Sequence, residues 1–478
     1  MERSAEELLI FLFDEILPKH GMTLRMRQKE LSLEMLRALQ ENRLALCEAE
    51  VGTGKTHAYI LALAVYSLYS GKKEPAVIST STIALQKALT EEYIPQISGI
   101  LLEHHVIDRP LSFVVRKGKK HYVCDSRLGI YEASIQNLNR EADAGLLLEL
   151  EKLQGLEDYR IDLDNTALTP YVKARINVLR CSRSCPCLVL CRFMNFQKRC
   201  MTEKFDFQIT NHNYVLADLI GRKQGKRPLF PAYGAIVLDE AHKLLDAARQ
   251  MYSIVWDEQE AERIVKLSAG NMRMIGPDEL AVLQGRIREC SRQIFERLAG
   301  ELSGSHIREE NRAEIAIGPV ERRYMKHMAE VLEKLPFAYQ KNGGKEMRAQ
   351  GLKRRCQELA DKLAMFLNSG KFICWMEKGE NGRLALCVVP MELEQILFKE
   401  FWSRPIPAII TSGTMSVRGD FTHFKKMTGL ASAAVARILE TSKPSPFDFQ
   451  NNGLIYIPER MPFPNIRDER YIRAVMEE

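Results

Sequence analysis

The stretch that decides the fold is Cys47-Glu48-Ala49-Glu50-Val51-Gly52-Thr53-Gly54-Lys55-Thr56. The apolar residues 44–46 before it predict a strand, and residues 58–65 after it predict a buried helix. Strand, glycine-containing loop and helix are the context of a phosphate-binding loop. The two glycines allow a tight turn whose backbone N–H groups face a phosphate. In that setting Lys55 would reach the β- and γ-phosphates, and the Thr56 hydroxyl would hold Mg²⁺.

A second motif supports the same kind of site. Residues 235–238 are apolar and predict a core strand, which ends in Asp239-Glu240-Ala241-His242. Asp239 would bind Mg²⁺, and Glu240 would orient and deprotonate the attacking water. Ala49 stands where the first glycine of the loop pattern is expected, so the loop alone also fits an ordinary glycine turn. The two motifs together predict that the chain binds ATP or a close relative and contributes to its hydrolysis.

The composition is that of a globular protein. The chain has 478 residues, 46% of them hydrophobic and 27% charged, which is enough for two to four domains. Its net charge of +6 permits a nucleic-acid partner without requiring one. No apolar run approaches the roughly 20 residues that span a bilayer, and the acidic N-terminus does not fit a signal peptide. We therefore expect a soluble, cytoplasmic chain with no membrane partner.

Polar residues near these motifs have two interpretations each. Arg25 and Gln28 precede the loop and would recognise an adenine edge, or would be ordinary solvated residues. Hydroxyl clusters follow the predicted strands at residues 75–78 and 407–410, namely residues 79–82 and 411–414. They would contact the phosphates of a nucleic-acid strand, or would only cap the helices that follow.

Cysteines mark a separate region. There are 11 in the chain, and in a cytoplasmic protein such a number points to a metal or a cluster before disulfides. Cys181, Cys185 and Cys191 have the spacing C-x3-C-x5-C, and with one distant cysteine they suit an iron–sulfur cluster. Zinc is the alternative metal, because it accepts the same thiolate ligands. The third interpretation is that these cysteines are reduced and only structural. Cys187 and Cys200 are surplus and leave the ligand set ambiguous.

Two further segments have clear patterns. Residues 256–368 are charged, with apolar positions at helical spacing, and predict a helical insertion whose basic residues Arg322, Arg323 and Lys326 would touch phosphates. Residues 372–377 and 384–389 flank a glycine-containing turn and predict a hairpin.

Taken together, the motifs resemble those of the DinG/XPD family of superfamily 2 DNA helicases. Arg25 and Gln28 match its adenine-recognition motif, and residues 48–56 match its phosphate loop, in which alanine is common at the position of Ala49. Residues 411–414 are similar to the motif that couples hydrolysis to movement, a task in which His242 would take part. The ligands of the family's 4Fe–4S cluster correspond to Cys124, Cys181, Cys185 and Cys191.

The resemblance implies an α/β fold: a RecA-like P-loop NTPase domain with a parallel sheet, interrupted by two insertions. It also implies ATP, Mg²⁺ and a 4Fe–4S cluster as cofactors, single-stranded or forked DNA as partner, and 5′-to-3′ unwinding in DNA repair or replication. The implied ranges are 1–110, 206–250 and 396–440 for the RecA-like domain, 111–205 for the cluster insertion, 251–395 for a helical arch, and 441–478 for a linker.

One departure from the family is expected to matter. No segment resembles Gln-x-x-Gly-Arg-x-x-Arg, so we expect this chain to lack the second RecA-like domain and its arginine finger. One alternative is therefore a non-catalytic module that binds ATP and DNA and needs a partner protein for the second half. Another is a zinc-bearing ATPase unrelated to DNA.

Overall fold

The computed structural model describes residues 3–71, 73–137, 144–157, 161–180, 185, 187, 189–269, 279–304, 312–379, 382–454, 456–458, 461–464 and 468–477. The strands in this part of the chain are β1 (Leu44–Ala49), β2 (Ala76–Thr80), β3 (Phe113–Val115), β4 (Phe207–Asn211), β5 (Ala235–Asp239), β6 (Ile254–Asp257), β7 (Arg312–Glu314), β8 (Phe372–Lys378), β9 (Leu384–Pro390), β10 (Ala408–Ser412) and β11 (Ile438–Lys443). The α-helices are α1 (Ala5–Phe11), α2 (Met26–Gln40), α3 (Lys55–Tyr69), α4 (Ile83–Ala88), α5 (Ile94–Glu103), α6 (Asp125–Gln136), α7 (Ala144–Gln154), α8 (Pro170–Ile176), α9 (Arg192–Thr202), α10 (His212–Lys223), α11 (Leu244–Tyr252), α12 (Glu260–Ser268), α13 (Glu279–Gly304), α14 (Pro319–Lys341), α15 (Glu346–Leu367), α16 (Leu393–Leu397), α17 (Thr422–Thr428), α18 (Phe449–Asn452) and α19 (Glu469–Glu477).

A parallel sheet of seven strands carries the phosphate loop. Its order is β11-β1-β10-β5-β2-β4-β3, and every pairing in it is parallel. Because the strands are parallel, their carboxyl ends lie along one edge, where ligands bind in such sheets. Cys47 pairs with Thr411, and Thr411 pairs with Asp239, so this register brings the two nucleotide motifs level with each other. The α/β fold with a parallel sheet is confirmed.

Helices cover both faces of this sheet. On one face α2, α3 and α5 pack against buried strand residues, and α3 is buried from Ala58 to Tyr66. On the other face α10, α11 and α16 pack around Trp402. The nearly continuous apolar sequence of α3 follows from its position, since it lies between the sheet and neighbouring helices and has little solvent-facing surface.

Two strands of the sheet are not evident from the sequence. β3 has three half-buried residues, and β11 alternates between half-buried and exposed positions. Both lie at sheet edges, where one side of the strand lacks the apolar burial that makes central strands recognisable.

Residues 254–390 build a second core. The sheet β6-β9-β8-β7 is antiparallel and packs with helices α12 to α15 around Trp256. The predicted hairpin is confirmed, with Phe372 opposite Pro390 and Lys378 opposite Leu384. The expectation of a purely helical segment over residues 256–368 is wrong in one respect, because the strand β7 lies within it. The domain boundaries and the arch stay predictions.

A third core lies between residues 122 and 200. Tyr122, Leu128, Leu150, Ile176 and Phe196 are among its buried members. Across the described ranges of the chain, no helix is both long enough and apolar enough to cross a membrane.

Candidate nucleotide-binding site

The phosphate loop joins β1 to α3 with a backbone that only glycine adopts readily. Gly52 has φ +88° and Gly54 has φ +85°, both in the left-handed region. The Thr53 hydroxyl closes the turn by donating to the carbonyl of Glu50 at 2.6 Å. Lys55 begins α3 and donates from Nζ to the carbonyl of Ala49 at 2.8 Å, so its ammonium lies inside the loop. The loop thus places a cation and a helix N-terminus at one point, a combination that binds phosphate.

Arg25 and Gln28 both bond to this loop. Arg25 Nη1 donates to the carbonyl of Gly52 at 2.6 Å, and Gln28 Nε2 donates to the carbonyl of Gly54 at 2.9 Å. Gln28 is buried, so the reading of it as a solvated residue is wrong. Its amide also occupies the space that a Cβ on Gly54 would take. The adenine-recognition role of the pair stays a prediction.

Asp239 lies buried at the end of β5. Its Oδ2 accepts from the hydroxyl of Tyr59 at 3.3 Å, and its Oδ1 accepts from the N–H of Glu240 at 3.0 Å. Burial, with the neighbouring charge of Glu240, raises the pKa of Asp239 to about 6, although Lys55 acts in the opposite direction. A bound cation would offset this desolvation, so the carboxylate fits the predicted Mg²⁺ site together with Thr56, which begins the same α3 turn as Lys55.

Glu240 and His242 connect β5 to β10. Glu240 has φ +56°, which is unusual for a residue with a side chain. His242 Nδ1 lies 3.3 Å from Oε2 of Glu240 and 2.7 Å from Oγ of Ser412. A Cβ built on Gly413 would lie 4.0 Å from Nζ of Lys55. The structure therefore brings the hydroxyl segment after β10 into contact with both nucleotide motifs.

Glu48 holds the segment that follows β10, a role the sequence reasoning missed. Its Oε2 accepts from the N–H groups of Met415 and Ser416, each at 2.5 Å, and its Oε1 accepts from the Ser416 hydroxyl at 2.6 Å. Burial opposes the charge of Glu48, but these hydrogen bonds outweigh burial and lower its pKa. The signal available in the sequence was an acidic residue inside an otherwise apolar core strand.

A segment near the C-terminus covers the loop and was also missed. We name residues 443–447 the strap. The carbonyl oxygen of Ser445 accepts a hydrogen bond from Arg27 Nη1 at 2.6 Å. The N–H of Ser445 donates to Oε2 of Glu50, and its hydroxyl donates to the carbonyl of Val51, both at 2.9 Å. These bonds fix the strap on the phosphate loop although some 400 residues separate them.

The strap carries an aromatic ring to the loop. The Phe447 ring fills the space that a Cβ on Gly52 would take, and 53% of Phe447 is exposed. Arg25 bonds to the carbonyl of the same glycine. An exposed ring and a guanidinium thus meet beside the phosphate loop, and both are groups on which a nucleotide base can stack.

The hydroxyls after β2 divide between the two interpretations. Thr82 caps α4 by accepting from the N–H of Leu85 at 3.2 Å, as the capping alternative expected. Ser79 is fully buried and its Oγ lies 2.8 Å from Nδ1 of His212. Burial lowers the pKa of His212 to about 4, so its ring is neutral near pH 7. A polar cleft of about 270 Å³ opens beside these groups, and its lining includes Ser81, Thr82, Asn211, Asn213 and Lys243.

Two of the predicted cluster ligands stand at the beginnings of neighbouring helices. Cys124 directly precedes α6 and Cys191 directly precedes α9. The residues that follow these cysteines, Asp125 and Arg192, form an ion pair that joins the two helices, with Arg192 Nη2 2.6 Å from Oδ1 of Asp125. Helix N-termini favour thiolates, so this donor set fits a thiolate-bound group.

The other cysteines of this region differ in position. Cys185 and Cys187 are partly exposed, whereas Cys181 lies outside the described residues. Cys200 is fully buried in the core, and this burial raises the pKa of its thiol to about 11, so it is a core residue. The predicted core cysteines are all buried: Cys47, Cys290, Cys356, Cys374 and Cys387.

Several basic residues are structural. Arg116 is fully buried and donates to the carbonyl of Leu229 at 2.7 Å. Lys117 pairs with Asp162 at 2.5 Å and with Asp164 at 2.9 Å. Arg322, expected to touch phosphates, instead donates to the carbonyls of Ile317 and Leu367. We therefore do not count these three cations among phosphate contacts.

Comparison with known proteins connects this site to a family. The chain is 24% identical to the ATP-dependent DNA helicase DinG of Photobacterium profundum over an alignment of 470 positions that covers 88% of this chain and 66% of that protein. It is 24% identical to the ATP-dependent DNA helicase YoaA of Escherichia coli over an alignment of 464 positions that covers 93% of this chain and 67% of that protein. The chain is similar in sequence to DinG-type ATP-dependent helicases over most of its length.

Other comparisons add little to this relationship. YpvA of Bacillus subtilis, named a probable ATP-dependent helicase, is 24% identical over an alignment of 460 positions that covers 92% of this chain and 67% of that protein. The chain thus spans about two thirds of the length of these relatives. No protein-family model matches it. A solved structure named XPD_APO matches 86% of this chain and 57% of its own, with a TM-score of 0.36 and 15% identity, a likeness too low to carry an argument.

Proposed function

We propose that the chain is an ATP-hydrolysing DNA helicase of the DinG type. The observation that carries the proposal is the meeting of three segments at one sheet edge. The phosphate loop contributes Lys55, β5 contributes Asp239 and Glu240, and β10 contributes Ser412 within hydrogen-bonding distance of His242. The names of the relatives, which are ATP-dependent helicases, support the same activity.

Each residue has a proposed task in hydrolysis. Lys55 holds the β- and γ-phosphates, and Glu240 orients the attacking water and accepts its proton. Thr56 and Asp239 would hold Mg²⁺, which neutralises phosphate charge when bound. His242 contacts both Glu240 and Ser412. A displacement of Glu240 caused by loss of the γ-phosphate would therefore be transmitted through His242 to the end of β10.

Single-stranded or forked DNA is the proposed partner. The cleft lined by Ser81, Thr82, Asn211, Asn213 and Lys243 offers hydroxyl, amide and ammonium groups to a phosphate backbone, without base-specific readout, and the carboxylate of Asp246 also belongs to its lining. The 5′-to-3′ direction, the role in repair or replication and the cytoplasmic location rest on the resemblance and stay predictions.

We also propose that Cys124, Cys181, Cys185 and Cys191 hold a 4Fe–4S cluster. The support is the placement of Cys124 and Cys191 at two joined helix beginnings. Such a cluster would supply a rigid cross-link between its four ligands. Iron content and a brown absorbance in the protein purified without oxygen, both lost in Cys124→Ser, are expected; stoichiometric zinc instead would refute the cluster.

The first experiment measures ATP hydrolysis with and without single-stranded DNA. We expect turnover that DNA stimulates and that Lys55→Ala abolishes, whereas Lys341→Ala, which removes an exposed lysine 3.5 Å from Glu279, has no effect. Nucleotide binding without turnover would refute the hydrolase proposal and favour the non-catalytic module. Turnover unaffected by DNA, together with DNA binding that salt does not weaken, would favour an ATPase unrelated to DNA.

A further inference from the structure

Two histidines from distant parts of the chain meet side by side. His20 ends the 3₁₀ turn Leu17–His20, and His104 directly follows α5. Their Nε2 atoms are 2.9 Å apart, and the rings stand edge to face at 86°. Both residues are half-buried, and the Nε2 atoms of the two rings face each other.

A carboxylate completes the group. Glu103, the last residue of α5, offers an oxygen such that one ligand atom from each of Glu103, His20 and His104 lies within 4.8 Å of the other two. Imidazole nitrogen with a carboxylate oxygen is a ligand set for zinc, nickel and copper rather than for magnesium or calcium. Three protein ligands leave at least one coordination position for water.

A hydrogen bond between the two rings is the competing explanation. One neutral ring can donate to the other across 2.9 Å, which uses one nitrogen of each ring. That bond does not involve Glu103, an exposed residue whose carboxylate oxygen lies within 4.8 Å of a ring nitrogen of each histidine. A divalent cation would use all three groups, and it would replace the mutual bond of the rings by two bonds to the metal.

We infer that His20, Glu103 and His104 form a binding site for a divalent transition-metal ion of the zinc class. The ion joins the N-terminal helical segment to the end of α5. Both elements pack into the same core as α3, which begins at the phosphate loop. The metal therefore acts as a cross-link between residues 84 positions apart and stabilises the folded chain.

The test uses the full chain, freed of metal by a chelator, and Co²⁺ or Zn²⁺ as the probe. We expect His20→Ala and His104→Ala each to lose one equivalent of bound metal, and Glu103→Gln to bind Co²⁺ at least about tenfold more weakly because a charged ligand is lost. Co²⁺ at this site lacks the thiolate charge-transfer absorbance that Co²⁺ bound by cysteines would show. This difference separates the site from the cysteine-rich region.

Controls keep the result interpretable. His105→Asn removes the adjacent, exposed histidine and suits its φ of +54°, because asparagine tolerates the left-handed region. This variant is expected to keep the metal equivalent and the rise in melting temperature on adding Zn²⁺. His104→Gln serves if His104→Ala does not fold, since glutamine preserves much of the side-chain volume. Equal metal stoichiometry in the wild type, His20→Ala and His104→Gln would overturn the inference and leave a hydrogen-bonded histidine pair.

Discussion

Replacing Gly54 by alanine tests whether the phosphate loop is held in the described geometry. Gly54 has φ +85°, and the amide of Gln28 occupies the position of the added methyl group. The substitution therefore combines backbone strain with displacement of Gln28, which donates to the carbonyl of Gly54 at 2.9 Å. Gly71→Ala is a matched control, because Gly71 has φ +64° and no atom within 4 Å of the added methyl.

The expected cost follows from these contacts. A residue with a Cβ in the left-handed region costs about 1–2 kcal/mol, offset by about 0.4–1 kcal/mol through the lower entropy of the unfolded chain. Losing the hydrogen bond from Gln28 adds about 1 kcal/mol. We expect Gly54→Ala to lower the free energy of unfolding by about 2 kcal/mol and Gly71→Ala by about 1 kcal/mol.

Nucleotide affinity is expected to separate the two variants more clearly. The added methyl group clashes with Gln28, so the free loop is expected to relax away from the shape that binds phosphate; the part of the about 2 kcal/mol that this relaxation relieves returns on binding and raises Kd by up to roughly 30-fold for Gly54→Ala. Gly71→Ala leaves Kd unchanged, because its strain is present in both the free and the bound protein. Urea unfolding and titration with a fluorescent ATP analogue measure the two quantities. Equal unfolding free energies and equal Kd values for both variants would refute the reasoning.

Three further predictions follow from single contacts. Burial raises the pKa of Asp239 to about 6, so ionisation of this carboxyl costs stability as pH rises from about 4 to 6. Asp239→Asn should therefore raise the unfolding free energy of the nucleotide-free protein by up to about 3 kcal/mol at pH 7 while abolishing ATP hydrolysis. A lower stability of this variant in urea unfolding would contradict the prediction. Because the pKa of Glu48 is lowered in the folded protein, its carboxylate stabilises the fold above the unfolded-state pKa, and this stabilisation disappears as pH falls through the folded-state pKa. Glu48→Gln should therefore lower the free energy of unfolding by about 2 kcal/mol at pH 7. Urea titrations should show this difference shrinking below about pH 4.5. Phe447→Ala should weaken binding of an ATP analogue about 3- to 10-fold because base stacking is lost. The control Phe463→Ala removes a ring that is 88% exposed and should leave the affinity unchanged. Equal affinities of the two variants would show that the strap does not contact the base.

Local patterns were enough to predict the nucleotide motifs and the central strands. β1, β2, β5 and β10 each combine a short apolar run with a polar residue at or next to the carboxyl end. That pattern arises because a central strand is covered on both faces and its carboxyl end opens to the site. The edge strands β3 and β11 lack such burial, which is why neither was predicted.

Tertiary structure decided the roles of charged residues that look alike in sequence. Arg116 and Lys117 belong to a basic run that suggests solvent or nucleic acid, yet the first is buried among carbonyl and aromatic groups and the second is paired with two aspartates. The partner of a long cationic side chain is often a residue tens of positions away in sequence. A local sequence pattern therefore does not reveal which partner it is. The same holds for Cys200, whose complete burial raises the pKa of its thiol to about 11, a position that its sequence neighbours do not indicate.

The sequence by itself therefore determined the chemistry of this chain: a phosphate loop, an acidic motif and a cysteine-rich region, each defined by neighbouring residues. Only the tertiary structure decided what surrounds that chemistry. It placed the strap on the phosphate loop, gave Glu48 the backbone N–H groups of Met415 and Ser416, and brought His242 to Ser412. The physical reason is the parallel sheet, which aligns the carboxyl ends of strands distant in sequence along one edge.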